Sequence, residues 1–198
     1  MNHYFHEHQH LKSNRKEFSF RFWCFPYTFI SDDGVFSKGE LDEGTKTLLE
    51  ASKQIDLGEH ILDLGCGIGC VGIILKHEHP SAAVTMLDIN TRALDLAKEN
   101  ARLNKVLVEV IKSNIFEAIP KRTFTSIICN PPIRAGKKVV YEMLRQSFAH
   151  IVKNGYLLVV IRKSHGAKSA KTYMEEVYKN CEILLKAKGF YVLMSKKH

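Results

Sequence analysis

A short loop combines an amide side chain with two prolines and an apolar residue: Asn130, Pro131, Pro132 and Ile133. It follows an apolar run at 125–129 that predicts a buried strand, and open α/β sheets bind ligands in the crevice beyond such strand ends. The prolines stiffen the loop and remove two backbone donors, and Asn130, which precedes a proline, is kept out of the helical region. The Asn130 side-chain oxygen and the Pro131 carbonyl oxygen can then accept hydrogen bonds from one amino group. We predict that the loop holds an amine whose nitrogen acts as a nucleophile.

A second candidate site follows the strand pattern at 60–64 and leads into a helix. It consists of Asp63, Gly65, Cys66, Gly67 and Gly69. Glycines let the backbone approach a ligand closely, and the amino end of a helix offers free N–H groups. Asp88 ends the next predicted strand, at the distance where an acidic side chain accepts hydrogen bonds from ribose hydroxyls in nucleotide-binding βαβ units. Together the two segments predict a ribose-containing cofactor.

Two cofactors compete for this site. Gly67, Gly69 and Gly72 match the dinucleotide fingerprint G-x-G-x-x-G with Asp88 as the ribose acid, so a nicotinamide cofactor stays open on the glycines alone. Asp63 favours S-adenosylmethionine, because a carboxylate repels a pyrophosphate but holds the ammonium of an amino-acid tail, directly or through water. The glycines, the two acidic residues and the Asn-Pro-Pro loop together are more specific than any one motif.

Strand and helix patterns alternate from residue 58 to the end and must position these motifs. The alternation predicts an α/β fold with a Rossmann-like, seven-stranded sheet that is mostly parallel and covered on both faces. The link 187–189 is too short for a crossover helix, so the last two strands form an antiparallel hairpin. We predict strands at 60–64, 83–87, 106–111, 125–129, 156–161, 182–186 and 190–194, and helices at 70–77, 92–103, 138–151 and 169–178.

Residues 1–57 are predicted to form an amino-terminal extension packed on the main domain, 58–198. Phe18, Phe20 and Phe22 alternate with polar residues, and a second aromatic run follows Pro26, which predicts a small β-hairpin. Apolar residues in the stretch 40–52 recur at helical spacing and predict a helix before the main domain.

Composition limits the partners and the compartment. The 198 residues carry a formal net charge of +8, which favours a polyanionic partner such as RNA. No apolar run approaches the roughly 18 residues of a membrane span, and the amino terminus lacks the apolar core of a secretory signal. The five cysteines form no C-x-x-C pair and are interpreted as reduced packing residues. We therefore expect a cytoplasmic protein without membrane contact.

Four histidines near the amino terminus could be read as a metal site. His3, His6, His8 and His10 alternate along the chain without an orienting shell of carboxylates. Metal-binding histidines need such a coordination set, so we assign no metal.

The combined motifs resemble class I S-adenosylmethionine-dependent methyltransferases. Among these, the chain is similar to the methyltransferase small domain proteins related to ribosomal small-subunit RNA guanine-N2 methyltransferases. The resemblance spans nearly the whole chain and is carried by Asp-Gly-Val-Phe-Ser at 33–37, Leu-Asp-Leu-Gly-Cys-Gly at 62–67 and Asn-Pro-Pro-Ile-Arg-Ala-Gly-Lys at 130–137.

The resemblance implies a role for each matching residue of the cofactor site. Gly65 and Gly67 would face the methionine portion, with Asp63 and Cys66 in the same loop. Asp88 would hold the ribose, Ile89 would pack on the adenine, and Asn114 would meet the adenine amino group.

At the reaction loop, the resemblance implies that Asn130 and Pro131 position the target nitrogen, and Asn130 is also expected to border the cofactor. Relatives that methylate adenine or glutamine commonly have an aromatic residue where this chain has Ile133, which favours the guanine-N2 subgroup. The expected reaction is therefore methylation of guanine N2 in small-subunit ribosomal RNA, with that RNA or the small subunit as partner. Two alternatives stay open: a protein-glutamine or small-metabolite N-methyltransferase, and a non-catalytic RNA-binding module.

Overall fold

The computed structural model describes residues 13–33, 35 and 40–198. An antiparallel pair of strands comes first, and strands and helices then alternate. The elements are β1 (Lys16–Phe22), β2 (Phe25–Ser31), α1 (Glu43–Ser52), β3 (His60–Leu64), α2 (Cys70–Glu78), β4 (Ala83–Asp88), α3 (Thr91–Leu103), β5 (Glu109–Lys112), β6 (Phe124–Cys129), α4 (Lys137–Ser147), β7 (Ile151–Arg162), α5 (Ala167–Tyr178), β8 (Glu182–Ala187) and β9 (Phe190–Lys196).

Seven strands form one sheet in the order β5-β4-β3-β6-β7-β9-β8. Strands β3 to β7 run parallel, and β9 is antiparallel to both β7 and β8. The predicted seven-stranded α/β fold with its closing hairpin is confirmed. The chain first builds outward from β3 through β4 and β5, and it then returns to place β6 on the other side of β3. The crevice above β3 and β6 is thus the switch point at which open α/β sheets bind ligands.

Both faces of the sheet are covered, as parallel strands require. Successive residues of a strand point to opposite faces, and in β3 Ile61 joins one apolar cluster while Leu62 joins the other. The first cluster contains residues of the hairpin, α1, α2 and α3, and the second contains residues of α4 and α5. The helices that follow the glycine-rich and Asn-Pro-Pro segments therefore lie on opposite faces.

The predicted β-hairpin is present and is held by two asparagines, Asn100 of α3 and Asn104 at its C-cap. Asn100 accepts from the Ile30 N–H at 2.7 Å and donates to the Ile30 carbonyl at 3.1 Å. Asn104 binds the Thr28 N–H and carbonyl in the same way, at 3.1 and 2.7 Å. The two amides satisfy the backbone of an edge strand that would otherwise be open. They fix β2 against α3, and Asn100 also donates to the Ile68 carbonyl at 3.0 Å.

The predicted helix 138–151 is too long. Helix α4 ends at Ser147, a 3-10 turn occupies Phe148–His150, and Ile151 already begins β7. Ile151 continues the apolar pattern of the helix, but in the fold it pairs with Phe124 of β6. The predicted strand 156–161 is correspondingly too short at its start.

The predicted strand 106–111 starts too early. Only Glu109–Lys112 pairs with β4. The Val106 N–H donates to the Ala101 carbonyl at 3.0 Å, so Val106 still belongs to the turn that ends α3. Leu107 is exposed and lies outside the sheet despite its apolar side chain.

Candidate functional site

Two loops lie side by side because their strands are neighbours. We call residues 65–69 the glycine loop and residues 130–136 the reaction loop. Leu64 pairs with Cys129, so the two loops leave adjacent parallel strands, which are about 4.8 Å apart in a sheet. Helix α4 follows the reaction loop and packs back on the glycine loop, where the Met143 Cε lies 3.4 Å from the place a Cβ on Gly65 would take. The structure brings both predicted sites to one crevice.

Three backbone N–H groups hold the glycine loop in place. Those of Gly65 and Cys66 donate to the Leu87 carbonyl at 2.8 and 2.9 Å, and that of Gly67 donates to Asp88 Oδ2 at 2.8 Å. Gly67 has a φ of +55°, and a Cβ added there would meet no atom within 4 Å. A ligand can therefore approach the backbone at Gly67 directly.

Gly72, the last glycine of the fingerprint pattern, is required for packing. It lies in the first turn of α2, where a Cβ would come within 2.4 Å of the Met86 Sδ. Its N–H donates to Asp63 Oδ2 at 2.9 Å. Close helix-to-strand packing is also the role of the third glycine in dinucleotide folds, so Gly72 does not distinguish the two cofactors.

Asp63 lies beneath the glycine loop and is 1% exposed. Burial raises the pKa of its carboxyl to about 7; the Gly72 hydrogen bond opposes this rise and the nearby Asp88 adds to it. Oδ1 of Asp63 accepts no hydrogen bond from a residue in the described part of the chain. A buried carboxyl of this kind is stabilised most by a cation placed at its free oxygen.

Asp88 binds the backbone of the glycine loop and the backbone that follows its own strand. Its Oδ2 accepts from Gly67 and its Oδ1 accepts from the Asn90 N–H at 2.9 Å. Burial raises the pKa of Asp88, and these backbone hydrogen bonds, with one from Ile89, act against the rise. Each oxygen keeps acceptor capacity, so two ribose hydroxyls could donate to it without displacing the loop. Ile89 is half-buried next to it.

Asn114 and Cys66 have different surroundings from the other predicted cofactor residues. Asn114 is exposed and donates to Glu117 Oε1 at 2.7 Å, and the neighbouring Ser113 N–H donates to the Asp88 carbonyl at 2.9 Å. The structure thus places Asn114 at the border of the crevice, and its contact with adenine stays a prediction. The Cys66 thiol is buried and donates to the Gly67 carbonyl at 3.6 Å, and burial raises its pKa well above the ordinary value. Its place in the cofactor site stays a prediction.

The reaction loop presents two free acceptors. Asn130 is half-buried and Pro131 is buried. The Pro132 carbonyl accepts from the Ala135 N–H at 2.8 Å, which closes a 3-10 turn over Ile133–Ala135 and leaves Ile133 half-buried. Neither the Asn130 Oδ1 nor the Pro131 carbonyl oxygen accepts a hydrogen bond from any residue that the structure describes. Both oxygens are therefore available to accept hydrogen bonds from a ligand.

The sequence pattern did not indicate Thr45 and Asp42, which connect the start of α1 to the reaction loop by hydrogen bonds. The Asn130 Nδ2 donates to Thr45 Oγ1 at 3.1 Å, and Thr45 Oγ1 donates to Asp42 Oδ2 at 2.5 Å. Asp42 is also the N-cap of α1. An acidic residue before a helical pattern is a recognisable cap signal, but nothing in that signal indicates a partner 85 residues away.

Exposed cations surround the reaction loop at this edge of the sheet. Arg134 and Lys137 follow β6, Arg162 is the last residue of β7 and Lys163 follows it, and Lys188 lies in the β8–β9 turn. The turn adjoins β7, since the Lys163 N–H donates to the Gly189 carbonyl at 2.8 Å. Among the described residues, none of these five cations pairs with a carboxylate within 4.0 Å. The segments 130–138, 162–168 and 187–190 contain no acidic residue. Glu43 at the start of α1 lies near this group of cations, and Lys46 and Lys188 lower the pKa of its carboxyl.

Some of the sequence observations lie outside the described residues. These include the amino-terminal histidines and, in the segment 33–37, Gly34, Phe36 and Ser37. Within the described ranges, no group of three or more histidine, cysteine or acidic side chains is arranged to hold a metal ion. None of the helices described is both long and apolar enough to cross a membrane.

Comparison with protein families gives one match that covers most of the chain. The family model described as "Methyltransferase small domain" matches residues 26–194. The match includes the glycine loop, Asp88 and the reaction loop, and it begins within β2.

Two relatives illustrate the similarity in sequence. The Bacillus subtilis (strain 168) protein named "Uncharacterized protein YbxB" is 40% identical over 197 residues, which are 98% of each chain. The "Ribosomal RNA small subunit methyltransferase C" of Pseudomonas putida (strain W619) is 31% identical over 92% of this chain and 55% of its own length. The chain thus spans about half the length of this second relative.

The solved structures include a similar molecule with bound ligands. It is the 16S rRNA N2 methyltransferase RsmC of T. thermophilus, in complex with AdoMet and guanosine. The TM-score is 0.85 at 25% sequence identity, over 95% of this chain and 52% of that one. The fold of the chain therefore matches about half of that enzyme.

Proposed function

We propose that this chain, which belongs to the methyltransferase small domain family, methylates the exocyclic N2 amine of a guanine in small-subunit ribosomal RNA. Its cofactor is S-adenosylmethionine. The observation that carries the proposed chemistry is the pair of free acceptors, Asn130 Oδ1 and the Pro131 carbonyl oxygen, beside the glycine loop.

The residues around the glycine loop fit this cofactor. The buried carboxyl of Asp63 would bind the ammonium of the amino-acid tail, and Asp88 would accept from the ribose hydroxyls. Gly65 and Gly67 leave room for the tail against the backbone. Ile89 and Asn114 would border the adenine, and Cys66 and Asn130 complete the set proposed from the sequence.

The reaction loop would activate an amine by holding it. When bound, the cofactor supplies a methyl group that its sulfonium already activates for transfer. Asn130 Oδ1 and the Pro131 carbonyl oxygen accept hydrogen bonds from the two N–H groups of the substrate amine. These bonds orient the nitrogen and favour a pyramidal geometry with an available lone pair. Positive charge grows on the nitrogen as it reacts, and the two fixed oxygens offset that charge. The proton can leave to water afterwards, so no strong base is needed at this point.

The five exposed cations near the reaction loop support RNA as the substrate class. A guanine entering the crevice would bring its flanking phosphates over the cations that follow β6 and β7, and phosphate contacts supply much of the affinity in such complexes. The names of the similar rRNA methyltransferases also favour this reading. Ribosomal RNA or the small ribosomal subunit would then be the partner, and the reaction would be cytoplasmic.

The proposal can be tested by transferring labelled methyl groups. Small ribosomal subunits from a strain without this protein are incubated with the protein and labelled cofactor, and the label is mapped after digestion. Label at guanine N2 is the expected result. Label that remains in protein after nuclease treatment would favour the glutamine alternative, and failure to bind the cofactor at millimolar concentration would favour a non-catalytic RNA-binding module.

The role of Asn130 has its own test in the same assay. Asn130→Ala should lower turnover by about a hundredfold or more, because it removes one of two acceptors that stabilise the reacting nitrogen. Cofactor affinity, measured by calorimetry, should stay nearly unchanged. A variant with the activity of the wild type would contradict the role of the amide.

A further inference from the structure

The first turn of α1 carries a hydrogen-bond chain that ends on the reaction loop. Asp42 Oδ1 accepts from the Thr45 N–H at 3.1 Å, and Asp42 Oδ2 accepts from the Thr45 hydroxyl at 2.5 Å. The Thr45 oxygen in turn accepts from the Asn130 Nδ2 at 3.1 Å. Thr45 is only 4% exposed, so water has little access to replace these partners.

Which group donates and which accepts in each of these hydrogen bonds follows from the chemistry of Asp42, Thr45 and Asn130. An ionised carboxylate can only accept hydrogen bonds, and a hydroxyl has a single proton. Since the Thr45 proton is committed to Asp42, the Thr45 oxygen can only accept from Asn130. The amide must therefore turn its NH2 toward Thr45 and its oxygen toward the crevice. A flipped amide would place two acceptor oxygens against each other.

We propose that Asp42 and Thr45 are positioning residues that fix the orientation of the Asn130 amide. They make Oδ1 the group that meets the incoming amine. The inference rests on the proposed function in that it assumes an amine acceptor, but it does not depend on which amine that is. If the amide were free to flip, some of the molecules would present its NH2 group to the incoming amine. Two donors cannot form a hydrogen bond with each other, so those molecules would not hold the substrate amine.

Two substitutions remove the fixed direction of these hydrogen bonds while they keep the N-cap of α1. Thr45→Val removes the hydroxyl with little change of shape, and the backbone N–H at this position still donates to Asp42. Asp42→Asn keeps an effective N-cap residue but replaces one acceptor oxygen by an NH2 group. That NH2 can donate to Thr45, which frees the hydroxyl proton to bind Asn130 in the flipped orientation.

Two further variants serve as controls. Thr45→Ser restores the hydroxyl and should restore most of the turnover that is absent in Thr45→Val. Thr47→Val makes the same exchange on the same helix, where the Thr47 hydroxyl donates to the Glu43 carbonyl at 2.7 Å and is remote from Asn130 in the hydrogen-bond network. Thr47 is also 4% exposed, so the two valine variants make the same substitution at equally buried positions.

The expected result is a reduction confined to turnover. Thr45→Val and Asp42→Asn should lower kcat about tenfold to a hundredfold, with KM for RNA and the cofactor Kd changed by no more than about twofold. Thr47→Val should keep the wild-type kcat. Equal reductions in the two valine variants, or a wild-type kcat in Thr45→Val, would overturn the inference.

A measurement without substrate separates this inference from the proposed function. The side-chain NH2 signals of Asn130 are identified by their disappearance in Asn130→Asp. They should shift in Thr45→Val and Asp42→Asn and stay in place in Thr47→Val; unchanged signals in both test variants would overturn the inference. If the wild type methylates no guanine, the proposed function fails alone. The kcat values of the variants are then compared with whichever amine the wild type methylates. If no methylated amine is found, the Asn130 NH2 signals alone test the inference.

Discussion

The affinity for S-adenosylmethionine should fall as the pH falls below neutrality, because the cofactor ammonium is proposed to bind ionised Asp63. Burial raises the pKa of this carboxyl to about 7 in the free protein. A nearby cation lowers that pKa, so binding releases a proton from the protonated fraction. The sign is therefore fixed: affinity rises with pH until Asp63 is ionised in the free protein as well.

The size of the effect follows from the two ionisations involved. With a pKa near 7, about nine in ten Asp63 carboxyls are protonated at pH 6 and about three in ten at pH 7.4, which changes the apparent Kd about eightfold. The α-amino group of the cofactor, with a pKa near 7.8, is about three-tenths deprotonated at pH 7.4 and reduces the difference to about sixfold. This corresponds to about 1 kcal/mol.

Isothermal titration calorimetry at pH 6.0, 6.7 and 7.4 measures both the affinity and the proton release. Buffers with different ionisation enthalpies give the net number of protons released, expected to be about 0.6 at pH 6.7, where Asp63 releases about 0.67 and the cofactor amine takes up about 0.07. Asp63→Asn keeps an oxygen for the Gly72 N–H but cannot ionise, so its Kd should lack the acid dependence. 5′-Methylthioadenosine, which has the ribose and adenine but no amino-acid tail, should also lack it. A Kd for S-adenosylmethionine that is constant from pH 6 to 7.4, or the same acid dependence for the tailless ligand, would refute the contact.

The ribose and RNA contacts lead to two other predictions. Asp88→Ala should weaken cofactor binding by about 2 to 4 kcal/mol, since the substitution removes both the charge-assisted hydrogen bonds to the ribose and the anchor of Gly67; unchanged affinity by calorimetry would remove Asp88 from the cofactor site. Replacing Arg134 and Lys137 by alanine should reduce the slope of log affinity against log salt for an rRNA fragment by about one for each phosphate that the variant no longer neutralises. A filter-binding series with an unchanged slope would show that the two cations that follow β6 bind no phosphate.

The order and type of the elements could be predicted because most of them are strongly periodic. The strand at 60–64 has the predicted bounds, since an apolar run ends there at a glycine-rich turn. The errors occur where apolar residues fit two structures. Ile151 fits the periodicity of α4 as well as the start of β7, and only its pairing with Phe124 decides between them. Such a pairing is not encoded in the local pattern.

The position of the candidate site could also be predicted, because one topological rule applies to both motifs. Each motif follows an apolar strand, and parallel strands end at one edge of the sheet. Asp63 is expected from the sequence to reach the cofactor, but nothing in the motif indicates that the Gly72 N–H occupies one of its oxygens. That hydrogen bond depends on how closely α2 approaches β3 and β4, which the third glycine permits.

The orientation of the Asn130 amide could not be predicted from its own motif. The Asn-Pro-Pro sequence specifies which groups are present and restrains their backbone, but an amide can face either way until a neighbour selects one orientation. The selecting neighbour is Thr45, 85 residues earlier, and its proton is in turn directed by Asp42. Both residues lie in the segment 1–57, which the sequence pattern separates from the main domain. The proposed chemistry therefore depends on a contact across that boundary, because the main domain supplies the acceptor and α1 turns it toward the substrate.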